Sequence, residues 1–247
     1  MSTEVLAAGI AIAFLAAACE SLTAFGFALV MVPLLSLTWE VKPAVVTSTV
    51  LGTALLLPLL YEVRGHVQPG RVAPLLAGSF AGVPAGVIIL DRIDATALEI
   101  VVASVVIVAG LAVYLSPQLT LSRPLAPLSF LIGAMSGALR AATSMGGPPA
   151  VLYVLTFERE VERFRAMLLA LFVPSSLLTI AGLAIAGQIS GDVLTATAAG
   201  LPAVALGALV GRWARARASQ GVFRLAVLAL LFASSAAVLA SAAGGFG

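Results

Sequence analysis

FLIGAMSGALRAATSMGGPPAVLYVLT, residues 130–156, is apolar enough along its length to be buried in a membrane, yet an arginine, a Thr-Ser pair and Gly-Gly-Pro-Pro stand in its middle. A charge and a helix break at membrane depth are costly, so together they mark a site rather than a filler segment. Arg140 is the one basic residue that does not fall naturally into a joint between apolar runs. An earlier stretch, FLAAACESLTAFGFALVMVPLLSL at 14–37, has the same plan: an apolar arm, a polar middle with Glu20, Ser21 and Thr23, then Gly26 and a second apolar arm. A shift of 120 residues lays Glu20 on Arg140 and Gly26 on Gly146. The chain therefore reads as two copies of one unit, each opening with a broken helix.

Composition sets the class. Of 247 residues, 61% are hydrophobic and 10% charged, where soluble domains carry about 25% charged residues. This is the composition of an integral membrane protein. A pI near 9.1 is not a nucleic-acid signal here, because the formal net charge is only +2 and no Lys/Arg stripe lies beside aromatic residues. The N-terminus lacks the basic region of a secretory signal and runs straight into the first broken element, so it reads as mature structure. The single cysteine, Cys19, excludes an internal disulfide and any multi-cysteine metal site, and reads as a small packing residue. No metal or cofactor is expected.

Polar joints at 38–43, 62–71, 91–94, 116–124, 157–165, 188–192 and 211–224 separate apolar runs at 44–61, 72–90, 95–115, 166–187, 193–210 and 225–243. Each run is about the length of one crossing. Elements 5–37 and 125–156 are longer and broken, so each is either a tilted crossing or a re-entrant hairpin. Basic residues decide between these. With both elements re-entrant, ten basic residues gather on one side and only Lys42 and Arg92 on the other; with both crossing, the division is three against nine. The hairpin arrangement predicts non-cytoplasmic termini and two units, 1–115 and 124–247, each a hairpin plus three helices. Three crossings per unit invert the second relative to the first, a recurring transporter plan. AGVPA at 81–85 recurs as AGLPA at 199–203, Trp39 and Trp213 fall at opposite faces, and Tyr61 and Tyr114 near the cytoplasmic one.

In a hairpin the second arm begins at the tip and points its free N–H groups and dipole into the membrane, which suits an anion. In the second unit Thr143 or Ser144 would cap, Gly146 and Gly147 would let backbone approach a ligand, and Pro148 or Pro149 would fill the first turn. Met145 would sit at the wall. In the first unit Ser21 and Thr23 would cap an arm starting near Gly26. The planar fork of Arg140 matches the oxygens of a carboxylate, sulfonate or sulfite. Two roles stay open for it, ligand contact or an ion pair with Glu20, and Glu20 is either that partner or a proton carrier. His66 lies in a joint and reads as solvated. The chain lacks a histidine or an aspartate pair at membrane depth, so it is not expected to be an intramembrane enzyme.

The segments TAFGFALVMVPLL at 23–35 and TSMGGPPAVLYVL at 143–155, with AGVPAG and AGLPAV beyond them, resemble the sulfite exporter TauE/SafE family over nearly the whole chain. The first signature keeps Gly26 but sets Phe25, Phe27 and Ala28 around it, which implies a bulkier, more apolar wall on that side. The resemblance implies an all-α permease of two related halves that exports sulfite or an organosulfonate such as sulfoacetate; a permease for another small carboxylate and a non-transport scaffold are the alternatives. The expected site is Arg140, Thr143, Ser144, Met145, Gly146 and Gly147 with Ser21, Thr23, Phe25 and Gly26, opened to each side in turn. An inside-negative potential would drive an anion outward by roughly 2.3 kcal/mol per charge per 100 mV. The expected setting is a bacterial-type inner membrane, with lipid and a second copy of the chain as partners and no nucleic acid.

Overall fold

The computed structural model describes residues 3–23, 26–115, 121, 124–215 and 217. Nine α-helices form among them: α1 (Thr3–Thr23), α2 (Phe27–Leu35), α3 (Val41–Val63), α4 (Pro69–Arg92), α5 (Ala95–Leu115), α6 (Ala126–Thr143), α7 (Gly147–Leu155), α8 (Val161–Ile185) and α9 (Gly191–Arg215). No strand occurs among the described residues. Five helices, α1, α3, α4, α8 and α9, are long and apolar enough to cross a membrane, and the chain is a multi-pass membrane protein. The expected crossing at 225–243 lies outside the described residues.

Local chemistry fixes the ends. Pro69 opens α4 and Pro127 and Pro148 stand in the first turns of α6 and α7, where a missing N–H costs little. The Asp94 carboxylate accepts the N–H of Ala97 at the start of α5, and the Ser190 hydroxyl accepts that of Val193 in α9, as N-caps do. Gly187, at φ 70° just past α8, ends that helix in the left-handed conformation.

The two long elements break where the sequence predicts, after Thr23 and after Thr143. The chain then turns back on itself. Val5, Leu6 and Gly9 near the start of α1 line one small cavity with Leu35, the last residue of α2, and Trp39 beyond it. In the second element, Leu125 donates its N–H to the Tyr153 hydroxyl at 3.1 Å, Ser129 and Tyr153 share a hydrogen bond of 2.8 Å, and Leu121 N–H reaches the Thr156 carbonyl at 2.8 Å. The outer ends of each pair of arms are therefore neighbours.

Glycine decides how the arms pack. On α4, Gly78, Gly82 and Gly86 lie against the backbone carbonyls of Phe130, Ala134 and Ala138 on α6. Gly133 and Gly137 on α6 lie as closely against Leu75 and Ser79. On α9, Gly207 and Gly211 meet the carbonyls of Phe14 and Ala18 on α1. A methyl group at any of these positions would overlap backbone, so small residues set the interhelical distance, as membrane helices require. Each first arm is thus seated on a helix of the other half. The two AGxPA segments fall in corresponding helices but not in corresponding contacts: Gly82 meets the Ala134 carbonyl, whereas Gly200 faces the Leu51 side chain. Helices α3 and α8 cross between the seated pairs, bringing Leu51, Leu55, Leu168 and Phe172 into one buried cluster.

Polar contacts sort the joints into two ends. At one, Lys42 donates to the Asp91 carbonyl at 3.0 Å and Gln188 to the Asp91 carboxylate at 2.8 Å. At the other, Arg71 pairs with Glu158 at 3.2 Å and Arg212 with Glu62 at 2.7 Å.

Candidate functional site

The two breaks meet. A cavity of about 30 Å³ is lined from the first by Glu20, Gly26, Phe27 and Leu29, and from the second by Arg140, Ser144, Met145 and Gly147. Its side walls come from Ser48, Thr49, Gly52, Thr53 and Leu56 of α3 and Phe172 of α8. A water needs about 10–15 Å³ of such space, so the chamber has room for about two.

At the first break, Gly26 has φ 128°, a backbone that side-chain-bearing residues rarely adopt. It turns the chain directly into α2. The expected hydroxyl cap is replaced by a carboxylate: Glu20, 4% exposed, accepts the N–H of Phe27 at 2.6 Å. The Glu20 carboxyl thus already occupies the N-terminal end of α2. Ser21 is buried but does not line the chamber. The Thr23 side chain and Phe25 lie outside the described residues.

At the second break the reversal falls on Ser144, left-handed at φ 65°. Its N–H bonds back to the Arg140 carbonyl at 2.7 Å, and its hydroxyl donates to Ser48 at 3.3 Å. Thr143 accepts the N–H of Met145 at 3.2 Å and donates to the Leu139 carbonyl, so it shapes the turn and does not line the chamber. Gly146 has an ordinary helical φ of −74°. Its smallness serves packing: a β-carbon there would meet the β-carbon of Arg140 at 2.7 Å, and its carbonyl accepts the Ser136 hydroxyl. Pro148 and Pro149 supply no N–H, which leaves the buried Gly147, a chamber-lining residue, as the N–H donor among the first three residues of α7.

Arg140 is 9% exposed. Its Nη1 donates to Ser176 at 3.1 Å and its guanidinium carbon lies 4.2 Å from the centre of the Phe172 ring, a cation–π arrangement that helps hold a charge away from water. Its Nε has no hydrogen-bond partner. No ion pair joins Arg140 and Glu20 among the described residues; each faces the chamber with its own support. Of the two arrangements left open for this pair, the structure has the one without a direct contact.

Arg140 is not the only buried cation. Arg165, read from the sequence as part of a joint, is 3% exposed in the first turns of α8, with Glu162 at 3.3 Å from its Nη1. Glu20 interacts electrostatically with both arginines. His66 is exposed in its joint, as read. The sequence reading missed the walls: Ser48, Thr49, Thr53, Phe172 and Ser176. Their signal was the hydroxyl clusters VTST at 46–49 and PSS at 174–176 inside otherwise apolar runs. Thr49 and Thr53 spend their hydroxyl protons on the carbonyls of Val45 and Thr49, whereas Ser48 only accepts from Ser144 and keeps its own proton to give. The donors that face the chamber are thus Arg140, Ser48 and the backbone of the two tips, a set suited to an anion with oxygens to share.

The model of the family described as "Sulfite exporter TauE/SafE" matches residues 9–238. A protein described as "Probable sulfite/organosulfonate exporter TauE" from Cupriavidus necator is 25% identical over 150 residues, which are 60% of this chain and 59% of that relative. The matched stretch thus spans about three fifths of the relative's length. No solved structure matches the chain.

Proposed function

This chain belongs to the sulfite exporter TauE/SafE family, and from that membership we propose that it exports a small anion, sulfite or an organosulfonate such as sulfoacetate, from a site between the two tips. The observation that carries the reading is the unpartnered Nε of the buried Arg140 beside a chamber lined by both breaks. An arginine desolvated this far is stable only if its donors are met; an anion oxygen would complete the set that Ser176 and Phe172 begin. Ser48, Gly147 and the first turn of α2 supply further donors.

The proposed topology is two inverted units, 1–115 and 124–247, each a re-entrant hairpin and three crossings. The neighbouring ends of the arms support it. So does the charge of the two joint ends: Arg64, Arg71, Arg159, Arg163, Arg165 and Arg212 belong to the end of the Arg71–Glu158 pair, against Lys42 and Arg92 at the other. By the positive-inside rule the arginine-rich end faces the cytoplasm of an inner membrane, and the termini face away from it. The chamber holds too little space for a sulfonate, so this form is read as closed, and transport requires the hairpins and the α3–α8 pair to part toward each side in turn. A homodimer supplies the fixed frame.

The test is thermal stabilisation of the purified protein by sulfite, sulfoacetate, sulfate, acetate and chloride, beside Arg140→Gln. Stabilisation by sulfite or sulfoacetate that vanishes in a folded Arg140→Gln variant is expected. A variant that keeps the same response would remove Arg140 from the site, and a response to acetate alone would favour a carboxylate permease.

A further inference from the structure

The chamber contains an anion of its own. The Glu20 carboxylate reaches seven residues along the chain to the Phe27 N–H, and so fills the helix end that a bound anion would use. Arg140 lines the same space, and its Nε has no hydrogen-bond partner. In a buried site lined by both tips, two neighbouring anions repel each other strongly when both are ionised, because little water screens them.

Of the surrounding charges only Arg165 of α8 also acts on Glu20, and it shares its charge with Glu162 at 3.3 Å. Helix α2 has no titratable side chain. On α1 the neighbour is Cys19, and Glu4 lies a full helix length away. On α3, Lys42 is bonded to the Asp91 carbonyl, Tyr61 lies under Arg64, and Glu62 pairs with Arg212 of α9. Asp192 stands at the far end of α9 from Arg212. On α7, Tyr153 is bonded to Ser129 and Leu125. Arg140 and Glu20 thus balance each other when the chamber is empty, and a singly charged ligand leaves it one negative charge in excess.

We propose that Glu20 is an internal competitor of the transported anion, and that its carboxylate takes one proton from solution when the anion enters, leaving the Phe27 N–H to a substrate oxygen. The balance is one anion and one proton bound per empty chamber, with the carboxylate becoming a carboxylic acid and no other bond changed. If both leave together, the charge of a monovalent anion is cancelled and its export follows the gradients of anion and proton rather than the membrane potential, whereas a dianion such as sulfoacetate still carries one net negative charge outward. The proposal rests on the chamber being the anion site.

The experiment uses the full chain in lipid nanodiscs with methanesulfonate and sulfoacetate, whose charges are fixed between about pH 6 and pH 9. Binding to the unmodified protein is expected to weaken by up to about tenfold per pH unit over the range where empty Glu20 is ionised, and to draw about one proton from a weakly buffered solution. Glu20→Gln, which keeps a carbonyl oxygen for Phe27, is expected to bind independently of pH and to take up no proton. Binding that draws no proton in the unmodified protein overturns the proposal without reference to any variant. So does an unchanged pH slope in Glu20→Gln. Binding of neither sulfonate by the unmodified protein, or full binding by Arg140→Gln, fails the chamber itself, a different result from binding without proton uptake.

Discussion

The two helix breaks occupy equal places in the sequence and solve the same backbone problem by different means. The first turns on Gly26 at φ 128° and brings its own acid, Glu20, to the exposed helix end. The second turns on Ser144 at φ 65° and brings a base, Arg140, held by Ser176 and the face of Phe172. One tip is therefore satisfied by its own chain and the other is left with a donor to offer. The lesson is that two breaks alike in sequence can bring opposite groups to one chamber: identical tips would set either two acids or two bases facing each other.

The strongest way to break this comparison is at the two aligned glycines. Gly26→Val should cost about 1–3 kcal/mol from backbone strain alone, seen as a lower melting temperature, with sulfoacetate still stabilising whatever folds. Gly146→Ala should lose stability and sulfoacetate response together, because its methyl displaces Arg140. Equal ligand responses in the two variants would erase the distinction between them. A smaller effect separates the roles of Glu20. Glu20→Ala strands the buried Phe27 N–H and should cost about 1–3 kcal/mol, whereas Glu20→Gln should cost clearly less; thermal melts of equal depth would mean that the Phe27 bond does not hold the first tip. The smallest change sharpens the second turn. Ser144→Gly relieves a left-handed serine while losing a long hydrogen bond to Ser48, and should stay within about 0.5 kcal/mol. A larger loss in the same melts would make the Ser144–Ser48 contact a support of the chamber.

Much of this was legible in advance because membrane burial leaves a coarse record in sequence. Long apolar runs placed the described helices α3, α4, α5, α8 and α9 to within a few residues, and Arg140 with Gly-Gly-Pro-Pro stood out where neither charge nor break belongs. The offset of 120 residues located both breaks. What it could not supply was conformation. Gly26 and Gly146 align, but one carries the reversal and the other makes room for a side chain, and only φ distinguishes them. Ser21 has the chemistry of a cap, yet Glu20 reaches the N–H, since which side chain arrives depends on how tightly the chain reverses. Arg165 hid because a run of alternating charges looks like a solvated joint even when one member turns inward. Phe172 and Ser176 were silent for the opposite reason: an apolar ring and a serine are unremarked in any membrane helix until a guanidinium lies against them.

The glycine seats carry a consequence for how the two halves depend on each other. Helix α1 rests on α9 and α6 on α4, so each half keeps the groove into which the other half's first arm fits. A polypeptide ending near Leu115 would own a groove with no rod and a rod with no groove. Neither stretch, 1–115 nor 124–247, fills its own groove, so the glycine seats tie the two into one packing unit that neither would complete alone.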